Sequence, residues 1–192
     1  MAILLLGLLL FLGVHSLRIF ADDWRSMQIA RWGKHAWRAG YALLAAGGFA
    51  LIVWGYAQVH SQPLLLWHPP LWLRHVAVLL TMLAFVLFAA AHVPGNAIKA
   101  RLGHPMVVGI KTWALAHLLA NGSLAALLLF ASFLLWAVLD FASLRRRDRA
   151  AGSKTLPGIR VRTLLVVLGG LLVWALFAFV LHGWLIGVRP LA

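Results

Sequence analysis

Six stretches of the chain are predominantly apolar: residues 2–20, 40–58, 71–91, 105–121, 122–140 and 163–187. Each holds 17 to 25 residues. At about 1.5 Å per residue, such runs cross or nearly cross a hydrocarbon core of about 30 Å. A helix on the surface of a soluble domain carries polar residues on one side, whereas LLVVLGGLLVWALFAFVL (164–181) has no polar face at all. Residues 105–140 divide at Ala120, Asn121 and Gly122. An unbroken helix there would be roughly 54 Å long, so the pattern predicts two spans joined by a tight turn. The predicted fold is an all-α, polytopic transmembrane helical bundle of about six spans.

Charge orients these spans. The stretch 21–39 carries Arg25, Arg31, Lys34 and Arg38, the stretch 92–104 carries Lys99 and Arg101, and the stretch 141–162 carries seven more basic residues. The alternate connections, 59–70 and the turn at Asn121, carry no Lys or Arg. Six spans place these thirteen basic residues on one side, the cytoplasmic one by the positive-inside rule. Both termini are then expected on the outer, periplasmic side. The first apolar run has no basic residue before it, and Arg18 follows it, so it reads as a retained span rather than a signal peptide. The stretch 141–162 (FASLRRRDRAAGSKTLPGIRVR) is the one polar linker and separates a five-helix unit from the last helix.

Composition agrees: 64% of the 192 residues are hydrophobic and 11% are charged, outside the range of soluble domains. The net charge of +13 would suggest nucleic acid in a soluble chain. Here the basic residues cluster between apolar runs, where they suit an anionic membrane surface, and no nucleic-acid partner is expected. The expected partner is the lipid bilayer, and no oligomeric state follows from the pattern. Absence of Cys excludes disulfides, thiolate ligands and cysteine nucleophiles.

The chemistry left inside the membrane is histidine. There is no Glu, and Asp140 is the one acid bordering a span, so paired-carboxylate catalysis and carboxylate metal cages lack parts. A structural ion pair of Asp140 with Arg18 or Lys111 is the expected use of those charges, with a catalytic carboxylate as the alternative. Six of nine histidines lie in or at the edge of spans. By helical rise, His75, His117 and His182 lie roughly 6 to 8 Å below the outer boundary, and His15, His92 and His104 within roughly 8 Å of the inner one. Neutral imidazole ligates Zn, Cu, Ni or haem iron, and apolar aromatic surroundings suit a porphyrin better than a hydrated ion, which makes haem b the candidate cofactor. Trp113, His117 and Asn121 share one helix face at i, i+4, i+8. The competing reading is a helix packed through Trp113, with His117 bonded to nearby backbone. Ala42, Ala46 and Ala50, with Gly47 and Gly48, are expected to let helices approach closely. Trp67, Pro69, Pro70 and Trp72 read as an outer interfacial belt.

GVHSLR (13–18), PPLWLRH (69–75), HPM (104–106) and KTWALAHLLANG (111–122) resemble motifs of the NnrU family. The resemblance covers residues 1–147 as a five-helix membrane domain, followed by a basic cytoplasmic linker at 148–162 and a C-terminal transmembrane helix at 163–192. It implies a multi-pass protein of the bacterial inner membrane that supports denitrification and nitric oxide metabolism. The family is also similar to zeta-carotene isomerase, a haem b protein, which implies haem here. His15, His75, His104 and His117 carry over from the motifs, with Trp113 and Asn121 beside His117; His92 and His182 do not. Similar depth favours His75 with His117 on one iron, then His15 with His104. A pair of His15 and His117 is offset by roughly 9 Å along the membrane normal and ranks third.

Two functions follow as expectations. One is redox or isomerase-like chemistry at haem on a lipophilic or gaseous substrate. The other is a non-catalytic accessory or assembly role beside a nitrogen-oxide respiratory enzyme. A transporter fits less well, because no charged site lies at mid-membrane and no inverted repeat is apparent.

Overall fold

A computed structural model describes residues 1–152 and 157–190; Lys154 of the basic linker lies outside the described residues. Among the described residues the chain forms α1 (Ala2–Phe20), α2 (Asp22–His60), α3 (Leu71–His92), α4 (Ala97–Leu102), α5 (Pro105–Ala120), α6 (Leu124–Ala150), α7 (Arg160–Leu176), a π-helical turn (Phe177–Leu181) and α8 (His182–Ile186), and no strand. α1, α2, α3, α6 and the continuous segment Arg160–Ile186 are each long and apolar enough to cross a membrane. α5 is apolar but has 16 residues, about 24 Å. The chain is thus an all-α, multi-pass membrane protein.

The expected break at Ala120–Gly122 is present. α5 ends at Ala120, Asn121 turns extended, and α6 begins at Leu124. The region 21–39, read from its charges as a loop, is helical instead and forms the first half of α2. Only Gly33 interrupts it, with φ 81° and ψ 157°, a conformation open to glycine, so that two helices meet there. Charge density marks which residues avoid hydrocarbon, not whether their backbone is helical.

The chain divides into two compact units. The first comprises residues 1–68 and 122–140. α1 and α2 run antiparallel with their backbones in contact: a Cβ on Gly48 would lie 2.7 Å from the Phe11 nitrogen, one on Gly7 would lie 2.6 Å from the Ile52 nitrogen, and one on Gly55 would strike the Leu4 backbone. Gly48, Ile52 and Gly55 recur at helical spacing and are buried. Ala42, Ala46 and Ala50 are exposed, and Gly47 has nothing within 4 Å of its would-be Cβ. The close approach therefore uses Gly7, Gly48 and Gly55 rather than the alanine stripe, because glycine alone removes the last side-chain atom from a backbone contact. Residues 64–67 run beside the start of α6: Leu66 N–H donates to the Gly122 carbonyl (2.8 Å) and Leu124 N–H to the Leu64 carbonyl (2.9 Å).

The second unit comprises residues 69–121 and 141–192. α3 packs on α5 and α7. Val86, Ala90 and Val166 form its buried centre, with Ala89, Val93, Ile98, Val167 and Leu171 around them. Gly170 lets α7 meet the Val86 backbone, where an added Cβ would come within 2.7 Å of the Val86 Cα. Asn96 ties the end of α3 to α4. It is fully buried, donates to the Ala90 (2.9 Å) and Val93 (2.5 Å) carbonyls, and accepts from Lys99 N–H (2.8 Å). The start of α7 docks on the same turn: Ala97 N–H donates to Thr163 Oγ1 (2.9 Å), and Ile159 N–H to the Gly95 carbonyl (2.8 Å). These bonds satisfy helix-end groups that hydrocarbon would leave without partners.

Candidate cofactor site

In the first unit His15 sits one helical turn beyond Phe11 on α1, and its Nδ1 lies 2.6 Å from the Phe11 carbonyl. A carbonyl can only accept, so Nδ1 is the donor. In the neutral ring Nε2 then carries the lone pair, the tautomer and second-shell anchoring found at metal-ligating histidines. No described residue hydrogen-bonds Nε2. Three aromatic rings surround the imidazole: Phe11 at 4.3 Å between centroids, Tyr41 of α2 at 5.3 Å, and Trp136 of α6 at 5.9 Å and nearly perpendicular. Asp140 and Arg25 lie close enough to Tyr41 to act on its hydroxyl through charge. Trp136 Nε1 is buried and has no hydrogen-bond partner among the described residues.

In the second unit His117 repeats the local arrangement. Its Nδ1 lies 2.9 Å from the Trp113 carbonyl, and the Trp113 and His117 rings are 5.0 Å apart. This is the backbone bond of the competing reading, and it also fixes the tautomer that a ligand needs. Asn121 has a different role from the one its helix face suggested: its Nδ2 donates to the His117 backbone carbonyl (2.9 Å), which closes the end of α5. His182 lies within electrostatic range of His117, and its own Nδ1 is 2.7 Å from the Val188 carbonyl. His92 bonds Phe88 through Nδ1 at 2.8 Å. His75 is exposed on α3 and makes no hydrogen bond or ring contact with a described residue.

His104 differs from the others. It is the N-cap of α5, and its Nε2 lies 2.8 Å from Asp148 Oδ2 on the last turns of α6, with Arg145 3.9 Å from the same oxygen. The nitrogen that points away from the backbone in the other helical histidines is here engaged by a carboxylate. Beside it, Lys111 Nζ stands 3.8 Å over the Phe141 ring. Asp148 went unnoticed in the sequence because it lies inside RRRDR, where an acid reads as local charge compensation. Tyr41 and Trp136 were missed because aromatic residues in apolar runs are ordinary packing residues. Only Phe11, four residues before His15, carried a signal in its spacing.

Among the described residues, no three His or Asp side chains converge to hold a bare metal ion. A porphyrin supplies four of the iron's ligands itself and asks one or two of the protein, which the single, oriented imidazoles can provide. A family model described as NnrU protein matches residues 3–190, and so takes in the C-terminal helix that the sequence motifs did not reach. Searches of curated proteins and of solved structures returned no match.

Proposed function

The chain belongs to the NnrU family, and from that premise we propose that it binds haem b in the bacterial inner membrane through histidine and supports nitrogen-oxide metabolism by redox or isomerase-like chemistry. The observation that carries this reading is His15, held through Nδ1 by the Phe11 carbonyl, its ring set among those of Phe11, Tyr41 and Trp136. His117, held through Nδ1 by the Trp113 carbonyl and set against the Trp113 ring, is the second candidate; His92 has the same backbone bond to Phe88 but is exposed and lies outside the family motifs. His75 lacks such anchoring, and Asp148 holds His104 through Nε2, which leaves Nδ1 as its ligating nitrogen; both rank behind His15 and His117 in this reading. When bound, haem iron supplies one-electron exchange and binding of small gaseous ligands. The protein's own part is to fix the imidazole tautomer and to surround the ring with aromatic side chains. The proposed topology has α5 as a sixth, shorter crossing and both termini outside, which puts the basic stretches on the cytoplasmic side.

Absorption spectra of detergent-purified protein expressed with added haem, oxidised and reduced, test this. A Soret band is expected, lost or shifted in His15→Ala and in His117→Ala and kept in His75→Ala and His104→Ala. Loss of the band only in His75→Ala or His104→Ala would move the ligands back to those positions. No band and no bound iron in the wild-type protein would sink the haem reading. The accessory role, in which the histidines serve packing alone, rests on the same backbone bonds, which by themselves satisfy Nδ1. It predicts co-purification from native membranes with a nitrogen-oxide respiratory enzyme.

A further inference from the structure

We infer that Trp136 is the anchor for a carboxylate of the porphyrin: its indole N–H donates to a haem propionate at the site where His15 ligates iron. The inference rests on the haem reading above and adds a residue and a chemical group to it. A buried N–H without an acceptor carries its whole desolvation penalty, and natural structures rarely leave one so. Trp136 Nε1 is such a group, and the rings around it cannot relieve it. Phe11 has no acceptor atom, and neither the His15 imidazole, whose Nδ1 donates to the Phe11 carbonyl, nor the Tyr41 hydroxyl makes a hydrogen bond to it. An acceptor from outside the chain is the remaining partner.

Position selects its chemistry. Trp136 stands edge-on to His15 with centroids 5.9 Å apart, so an acceptor bound there belongs to the same ligand that meets the imidazole. His15 is about 7.5 Å by helical rise from the end of α1, after which Arg25, Arg31, Lys34 and Arg38 follow. The acids on this side are Asp22 and Asp23 at the start of α2, Asp22 paired with Arg25 at 3.0 Å, and Asp140, one turn beyond Trp136 on α6; with Arg18 the basic side chains outnumber them. A flat apolar ring system with an anionic edge fits this gradient. The two propionates of haem b are such an edge, and they must leave the hydrocarbon on the side where cations and donors receive them.

The test uses full-length protein loaded with haem b or with haem dimethyl ester, whose esterified propionates carry no charge, and follows haem transfer to an excess of a haem-scavenging apoprotein. Trp136→Phe is expected to keep the Soret band and to release haem b about tenfold faster than wild type. With the dimethyl ester the two proteins are expected to differ much less. Trp136→Gln, which restores an N–H donor, should recover part of the retention; size-exclusion profiles check that the variants are folded. Equal release of haem b from wild type and Trp136→Phe overturns the inference, as does an undiminished difference with the ester. If the band survives in His15→Ala, the ligand assignment fails instead, and the absence of a band in wild type removes both.

Discussion

The two compact units hold their helices together in different ways. The first relies on contact between bare backbones, Gly7, Gly48 and Gly55 letting α1 and α2 touch, and on aromatic rings around His15. The second relies on a polar junction, with Asn96, Lys99, Ile159 and Thr163 exchanging hydrogen bonds where α3, α4 and α7 meet. Lipid tails are as apolar as leucine, so burying apolar surface gives little reason for helices in a membrane to associate. Close packing and hydrogen bonding are what remain. The units exemplify one solution each. The unit built on packing contains Trp136, whose indole N–H has no partner among the described residues, whereas Asn96 in the other uses both its amide hydrogens and its carbonyl.

Substitutions can break this contrast. The largest effect is expected at Gly48→Val, which drives side-chain atoms into the Phe11 backbone and should cost about 3 kcal/mol, seen as loss of a monodisperse folded species on size exclusion after heating. Gly47→Val, with open space at its Cβ, serves as the control and should behave as wild type. Next comes Asn96→Leu, which leaves two carbonyls and one N–H without their partner; a loss of about 2 kcal/mol is expected in detergent thermal unfolding. If it is neutral, the polar junction does not hold the second unit. Asp148→Asn removes the carboxylate charge from the contact with His104. Both side chains are partly exposed, at 30% and 23%, so no more than about 1 kcal/mol should be lost. The smallest effect is expected for Ala46→Leu on the exposed alanine stripe, within about 0.5 kcal/mol; a larger loss would show that this face packs on something.

The apolar runs, their approximate limits and the break at Asn121 could be read from the sequence, because hydrocarbon admits only helices whose side chains are nearly all apolar, and that demand is written residue by residue. The helical start of α2 could not, since a charged amphipathic segment at an interface and a charged loop have the same composition. Nor could the choice among small residues: Gly48 packs while Gly47 beside it faces open space, and both look alike until the partner helix is placed.

The histidines divide along the same line. That they are the chemistry this membrane chain has to offer followed from counting what is absent, Glu and Cys. The hydrogen bond that orients each imidazole comes from a neighbour four residues away for His15 and His117 and forty-four away for His104. A hydrogen bond within one helix turn is implied by local periodicity, but a carboxylate arriving from another helix is not. The motifs made His104 and His117 look equivalent, and Asp148 separates them, because its carboxylate lies 2.8 Å from Nε2 of His104, whereas His117 is bonded through Nδ1 to the Trp113 carbonyl.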